Sequence, residues 1–292
     1  MKKIAFLGVE NSHANSFISY IKEKPEYSDI EVYGVYSDEP EAVAKLVEKF
    51  GVTPMATYDE AVGKVDGVVI TARHGDNHYK YAKPYIAAGI PMFIDKPITV
   101  SEEDAIAFMK DLRASGTRIT GGSSVRHSKL VGELHKEVLE NVNGETQFGF
   151  VKAPVQMNSV YGGFYFYSQH LVEAMLEIFG KNPVAVTTIR NGDNLTVTFE
   201  YPGFNTVGCF NEGGYAYNAA RYTQKECTSG TLDAEGMSHW FEAEFLEYVD
   251  VLRGNSEGRD YADFIIPVFV LNAIMRSLES GKREIINTFS FD

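Results

Sequence analysis

The sequence predicts an α/β chain. A doubly wound parallel sheet comes first, followed by an α+β domain whose large open sheet is mostly antiparallel. Two observations carry this. From Lys3 to Gly122 short apolar runs alternate with helical patterns, the order that builds a parallel sheet covered on both faces. From Thr187 to Phe210 apolar and polar residues alternate along the chain, as in strands with one face buried. The change of pattern places the expected domains at 1–123 and 124–292.

At 292 residues and 44% hydrophobic content, the chain is long and apolar enough for two buried cores. The 27 basic and 40 acidic residues leave a net charge of −13, which disfavours nucleic acid and anionic membranes as partners. The run Phe264–Leu271 contains Pro267 and is far too short to span a bilayer. Polar residues follow the short apolar stretch after Lys2-Lys3, so a signal peptide is not expected and a cytoplasmic location is. Two cysteines, Cys209 and Cys227, predict reduced thiols rather than a disulfide scaffold or a cysteine metal cluster.

Lys3–Leu7 reads as a buried strand, Gly8-Val9-Glu10-Asn11-Ser12-His13-Ala14 as a turn, and Phe17, Ile18 and Ile21 as the apolar stripe of a helix. Dinucleotide folds place G-x-G-x-x-G/A here, so that backbone approaches a pyrophosphate at the helix amino end. Gly8 and Ala14 flank the region, but Glu10 stands at the second glycine position and His13 at the third. A glutamate there repels a pyrophosphate unless it turns away. Asn11 and Ser12 are able to cap the helix.

Ile30–Tyr36 alternates as a second strand, ends at Ser37-Asp38-Glu39-Pro40, and leads into a helix from Glu41 to Phe50 closed by Gly51. An acid at this strand end grips ribose hydroxyls in NAD enzymes, whereas NADP enzymes favour a small polar residue with a nearby arginine. Ser37 and Asp38 are adjacent and no arginine follows, so both cofactors stay open, and Asp38 equally reads as a helix cap. Tyr58–Val62 reads as a short helix and Val65–Thr71 as a strand buried on both faces. Ala72-Arg73-His74-Gly75-Asp76-Asn77-His78 leaves that strand, and Tyr79–Ala88 forms a helix ended by Gly89.

Ile90–Ile94 is the next strand and stops at Asp95-Lys96-Pro97. This puts a lysine at the carboxyl end of a strand, where open α/β sheets bind their ligands, and the proline fixes the exit direction. Taken alone, Asp-Lys-Pro more often marks a surface ion pair leaving an edge strand. Ser101-Glu102-Glu103-Asp104 opens a further helix in capping-box fashion, and Arg118–Gly122 is the last strand of the half.

A new strand region begins at Gly144–Ala153, and Arg190-Asn191-Gly192-Asp193 reads as a hairpin turn. Between them a helix runs from Ser168 to its stop at Gly180, with Leu171, Met175 and Ile178 at core spacing. His170, Glu173 and Glu177 fall on one face of it. An imidazole exchanging a proton with an alcohol or carbonyl benefits from a nearby carboxylate. The plainer reading is a half-buried helix histidine bonded to its own glutamates. Tyr161, Tyr165 and Tyr167 form either an aromatic wall for a sugar ring or part of the core. The spacings His74 to His78 and His170-x-x-Glu173 raise a metal site as a third possibility, but helix capping or cofactor contact explains them equally well, and no metal is expected. Trp240–Val249 and Tyr261–Leu278, closed by Gly281, read as amphipathic helices.

The strand ending in Gly8, the phrase Ala87-Ala88-Gly89-Ile90-Pro91-Met92-Phe93-Ile94-Asp95-Lys96-Pro97 and the later Ser124-Val125-Arg126-His127 resemble the Gfo/Idh/MocA family of nicotinamide-dependent oxidoreductases over essentially the whole chain. The resemblance implies a Rossmann-type first domain holding NAD or NADP against Gly8, Glu10, Asn11, Ser12, His13, Ser37, Asp38, Ala72, Arg73, His74, His78, Asp95 and Lys96. Lys96 matches the lysine of the family's Glu-Lys-Pro motif, which contacts cofactor and substrate, and His170 matches the usual proton-transfer histidine. A sugar, cyclitol or other polyhydroxy substrate is then expected to meet Lys96, Arg126, Tyr165, Gln169, His170 and Glu173. The open sheet is expected to form a homodimer or homotetramer, and the terminal helices to pack back on the first domain. Arg73-His74 replaces the family's Thr-Pro, and Phe166 replaces an acid four residues before His170. Together with Glu10 and His13, Phe166 supports a second reading: a catalytically divergent ligand-binding or regulatory protein of the same fold.

Overall fold

A computed structural model describes residues 1–234 and 236–290 of the chain. It divides into two compact units, Met1–Gly122 with Phe241–Phe264, and Ser123–Trp240 with Ile265–Asp292. In chain order the elements are β1 (Lys2–Leu7), α1 (Ser12–Glu23), β2 (Ile30–Tyr36), α2 (Pro40–Phe50), β3 (Gly67–Ile70), α3 (Asp76–Ile86), β4 (Met92–Asp95), α4 (Glu102–Ser115) and β5 (Ile119–Gly122). A 3₁₀ turn, Ser124–His127, precedes α5 (Lys129–Leu139), β6 (Phe148–Val155), α6 (Tyr165–Phe179), β7 (Ala185–Asn191), β8 (Asn194–Tyr201) and β9 (Phe204–Glu212). β10 (Asn218–Tyr222), β11 (Cys227–Thr231), α7 (Met237–Arg253), α8 (Ala262–Ser280) and β12 (Glu284–Ile285) complete the chain.

In the first unit the sheet is parallel throughout, in the order β2-β1-β3-β4-β5. The chain winds outward from β1 in both directions, so the carboxyl ends of β1, β2 and β3 frame the crevice where such sheets bind ligands. β3 and β4 are buried at every position, which explains why their apolar residues do not alternate. Phe17, Ile18 and Ile21 of α1 pack with Phe6, Val69 and Phe93 of the sheet and with Phe245, Tyr248, Val249 and Leu252 of α7. Each such side chain removed from water contributes about 2 kcal/mol. α7 lies so close that a Cβ at Gly67 would fall 2.2 Å from the Tyr248 hydroxyl.

Ser101 caps α4 by accepting the Asp104 N–H at 3.1 Å, and α2 ends at Gly51 with φ of 64°. The helix expected at Tyr58–Val62 does not form. Its bonds reach back only three residues, Val62 N–H to Asp59 O at 3.1 Å and Lys64 N–H to Ala61 O at 3.0 Å, and Gly63 turns the chain at φ 71°. So short a stretch of turns gives no α-helical nucleus.

The sheet of the second unit has seven strands in the order β11-β10-β6-β9-β8-β7-β12, antiparallel except for the β6 and β9 pair. The hairpin turn between β7 and β8 falls at Gly192, φ 62°, as the sequence indicates. α6 covers one face: a Cβ at Gly208 would lie 2.8 Å from Leu171 and one at Gly149 2.4 Å from Phe179, so the glycines admit the helix. α6 also starts three residues before Ser168, through tight bonds from the Tyr165 and Phe166 amides to Gly162 and Gly163. β10 escapes a reading by hydropathy because its buried Arg221 looks like a break; its guanidinium instead donates to Thr146 Oγ1, Val142 O and Gly144 O. Among the described residues no helix is long and apolar enough to cross a membrane.

Candidate active site

The first cluster lies at the carboxyl edge of the parallel sheet. Gly8 follows β1 with φ of 74°, and a Cβ there would fall 2.5 Å from Ala72 Cα, so the ends of β1 and β3 touch through backbone. The Gly8 amide donates to Tyr36 O at 2.7 Å, and Thr71 Oγ1 donates to Gly8 O at 2.9 Å. Glu10 does turn away: its carboxylate accepts Ser37 Oγ–H at 2.6 Å and the Arg73 N–H at 2.9 Å, spanning the ends of β2 and β3. Asp38 does not cap α2, whose N-cap is Glu39 without a side-chain bond. It accepts instead from Tyr36 Oη (2.5 Å), Tyr81 Oη (2.8 Å) and Lys80 Nζ (3.2 Å). The Tyr36 hydroxyl, followed by the Tyr81 hydroxyl and the Lys80 ammonium, holds the Asp38 carboxyl below its ordinary range.

Beneath the turn sits a buried ionisable group. Asn11 caps α1 by accepting the His13 N–H at 3.0 Å, with Ser12 Oγ at 3.3 Å, and its amide donates to Asp95 Oδ2. The His13 ring, 3% exposed, places Nδ1 2.8 Å from Asn11 Oδ1 and 3.6 Å from Asp95, and Nε2 3.5 Å from Glu244 of α7. Burial opposes protonation, but the Asp95 and Glu244 carboxylates outweigh it, and the His13 pKa is raised. Reading along the sequence missed Glu244, and its only local signal is an acid on an otherwise apolar helix face.

Lys96 follows β4 directly, is 4% exposed, and precedes Pro97 through a cis peptide. His78 is fully buried, with Nε2 2.8 Å from Ala72 O and Nδ1 3.3 Å from Ile98 O, so it supports the edge from below. Burial depresses its pKa. Asp95 is likewise buried and serves Asn11 and His13. Arg73 meets Glu10 through its backbone, and half-buried His74 accepts the Asp76 N–H at 3.3 Å. Among the described residues no group of three or more His, Cys, Asp or Glu side chains is placed to hold a metal ion.

The second cluster belongs to the second unit. His170 Nδ1 lies 2.6 Å from Ser123 Oγ, and the Ser123 N–H donates to Glu173 Oε1 at 2.9 Å. Glu173 therefore reaches His170 through Ser123, a residue the sequence reading did not single out. Gln169 is fully buried and donates to Glu173 at 2.5 Å, which supports that carboxylate. Tyr165 Oη donates to Asn272 Oδ1 at 3.1 Å, which ties it to α8. Arg126 is half-buried in the 3₁₀ turn after Ser123. Phe166 packs against the rings of Tyr161 and Tyr167, with centroids 5.3 and 4.9 Å away, and Tyr167 in turn lies edge-on to His170 at 5.4 Å.

The strand-edge residues fit a nicotinamide dinucleotide. The amino end of α1 points its dipole at the crevice, Glu10 is held sideways by two donors, and Asp38 stands half-exposed at the end of β2 where ribose hydroxyls are bound.

Residues 2–123 match the Gfo/Idh/MocA family, described as an oxidoreductase family with an NAD-binding Rossmann fold. An uncharacterised oxidoreductase, YhhX, of Escherichia coli strain K12 is 23% identical over 208 residues, 67% of this chain, and the match spans 60% of that relative's length. Among solved structures, GenD2 from gentamicin A biosynthesis, in complex with NAD, superposes with a TM-score of 0.85 at 17% identity, covering 98% of this chain and 97% of that one. A myo-inositol dehydrogenase from Corynebacterium glutamicum ATCC 13032 gives 0.82 at 18% identity, with 99% and 100% covered. Apo scyllo-inositol dehydrogenase from Lactobacillus casei gives 0.83 at 14%, with 99% of each chain covered. At such identities these structures establish the shared two-sheet fold. The likeness to the Gfo/Idh/MocA oxidoreductase family model is thus confined to residues 2–123, and over the whole chain the likeness to these structures is one of fold.

Proposed function

We propose that the chain transfers a hydride between NAD or NADP and a sugar, cyclitol or related polyhydroxy substrate. The observation that carries this reading is Lys96, an ammonium buried to 4% exposure directly after β4, at the carboxyl edge where a dinucleotide fits. The inositol dehydrogenases of the same fold support the substrate class. Bound nicotinamide supplies the hydride acceptor or donor. Lys96 then orients and polarises the reacting oxygen, His170 exchanges a proton with it, and Tyr167 lines the ring beside His170. A polyol panel assayed with both cofactors tests the roles: turnover falls at least a hundredfold in Lys96→Ala and in His170→Ala. Unchanged activity in both variants overturns the assignment.

A second reading, a ligand-binding or regulatory protein of this fold, draws on Glu10, which takes two donors at the crevice, and on Phe166, which puts a ring where an acid would stand before His170. Titrating NADH and NADPH by fluorescence separates the two: tight binding without turnover on any substrate favours the second. Self-association through the open sheet face is part of the proposal. Along β8 exposed and buried positions alternate, leaving Thr196 and Thr198 on the face opposite Leu195, Val197 and Phe199. Light scattering after size exclusion reads the oligomeric state, and a monomer at micromolar concentration rejects it.

A further inference from the structure

Ser123 follows the two glycines that end β5 and is 1% exposed. Its amide is committed to Glu173 Oε1. Its hydroxyl oxygen already receives the Val125 N–H, at a long 3.4 Å, as the cap of the 3₁₀ turn. The remaining contact is His170 Nδ1 at 2.6 Å. A buried hydroxyl hydrogen without an acceptor is costly, and among the described residues Nδ1 is the acceptor in reach. A ring nitrogen accepts only when it carries no hydrogen, so the hydrogen of the neutral imidazole is on Nε2. The rings of Tyr167 and Tyr217, edge-on at 5.4 and 6.0 Å, hold the imidazole plane so that it cannot exchange its two nitrogens by flipping freely.

We infer that Ser123, its backbone anchored by Glu173, is a positioning residue that fixes neutral His170 as the Nε2–H tautomer. This rests on the proposed role of His170 and sharpens it. The second ring nitrogen is then a hydrogen-bond donor in the resting protein, the polarity that suits the oxygen of a carbonyl substrate awaiting reduction. Drawing a proton from an alcohol would first require the Ser123 hydroxyl to rotate away from Nδ1.

The test is long-range ¹H–¹⁵N correlation of ¹⁵N-histidine-labelled full-length protein near neutral pH, with the His170 signals identified by their loss in His170→Ala. The wild-type spectrum is expected to show the Nε2–H pattern. Ser123→Ala should convert it to Nδ1–H or to a mixture, while Ser123→Thr, which restores a hydroxyl, should retain it. An Nδ1–H pattern in the wild type, or an unchanged pattern in Ser123→Ala, overturns the inference. If Ser123→Ala does not fold, the wild-type spectrum alone decides. The measurement uses neither cofactor nor substrate, so an inactive protein with the Nε2–H pattern rejects the proposed activity and leaves the tautomer standing. An active protein with the opposite pattern does the reverse.

Discussion

Replacing Gly8 by alanine should destabilise the first unit more than the same change at Gly51, although both glycines have left-handed backbones, φ 74° and 64°. An L-residue in that region costs about 1 kcal/mol relative to glycine, a term common to both sites. At Gly51 a new Cβ meets nothing within 4 Å. At Gly8 it would lie 2.5 Å from the Cα, Cβ and N of Ala72, about 1 Å inside ordinary contact and against backbone that cannot swing aside. Forced overpacking of this kind costs about 1–3 kcal/mol. Gly51→Ala should therefore lose about 1 kcal/mol and Gly8→Ala about 2–4 kcal/mol. Urea unfolding followed by far-ultraviolet circular dichroism, with m compared between variants, reads both. Losses that agree within about 0.5 kcal/mol would refute the claim that backbone contact between the ends of β1 and β3 shapes the turn.

Stability should fall as pH rises above the ordinary histidine value of 6.5 through His13. Its pKa is raised in the folded protein, so its contribution is complete below the ordinary value of 6.5 and is lost as pH climbs through the folded one. Melting curves from about pH 6 to 9 should slope downward in the wild type and flatten in Glu244→Gln; parallel curves contradict the pairing. Tyr201→Phe should be neutral or stabilising by up to about 1 kcal/mol, because among the described residues the buried Tyr201 hydroxyl has no hydrogen-bond partner while its ring stacks on Phe204. A loss above about 1 kcal/mol in chemical denaturation would mean that the hydroxyl is satisfied after all. If the proposed cofactor binding holds, NADH should bind more tightly than NADPH, since Glu10 and Asp38 bring two carboxylates around Ser37, whose hydroxyl already donates to Glu10. Glu10→Gln should narrow that gap by about 1 kcal/mol in fluorescence titration, and tighter NADPH binding by the wild type sinks the argument.

The parallel half was legible because most of its strands are short apolar stretches followed by helical patterns, and Asp95-Lys96-Pro97 marked a strand end by local chemistry alone. Glu10's sideways fold could be stated as a condition but not resolved, since Ser37 and Arg73 come to it from two other strands. Ser123 and Glu244 were illegible for the same reason. Neither stands in a motif position, and each acquires its role only through a partner distant in sequence: α6 brings His170 to Ser123, and α7 brings Glu244 to His13. Helical spacing points to the glutamate three residues after His170 as its partner. The geometry routes the contact through a serine because the loop after β5 reaches Nδ1 first.

The two borders of the seven-stranded sheet are unlike. One is closed by β12, only two residues long; the other is β11, a run of Cys, Thr, Ser, Gly and Thr whose side chains offer little to an incoming strand. A two-residue terminal strand is a poor template for lateral growth, and a polar rim with a glycine resists the stacking that drives fibrous aggregation. Strand-by-strand growth from either rim is thus disfavoured, and the self-association proposed above is left to the broad face of the sheet.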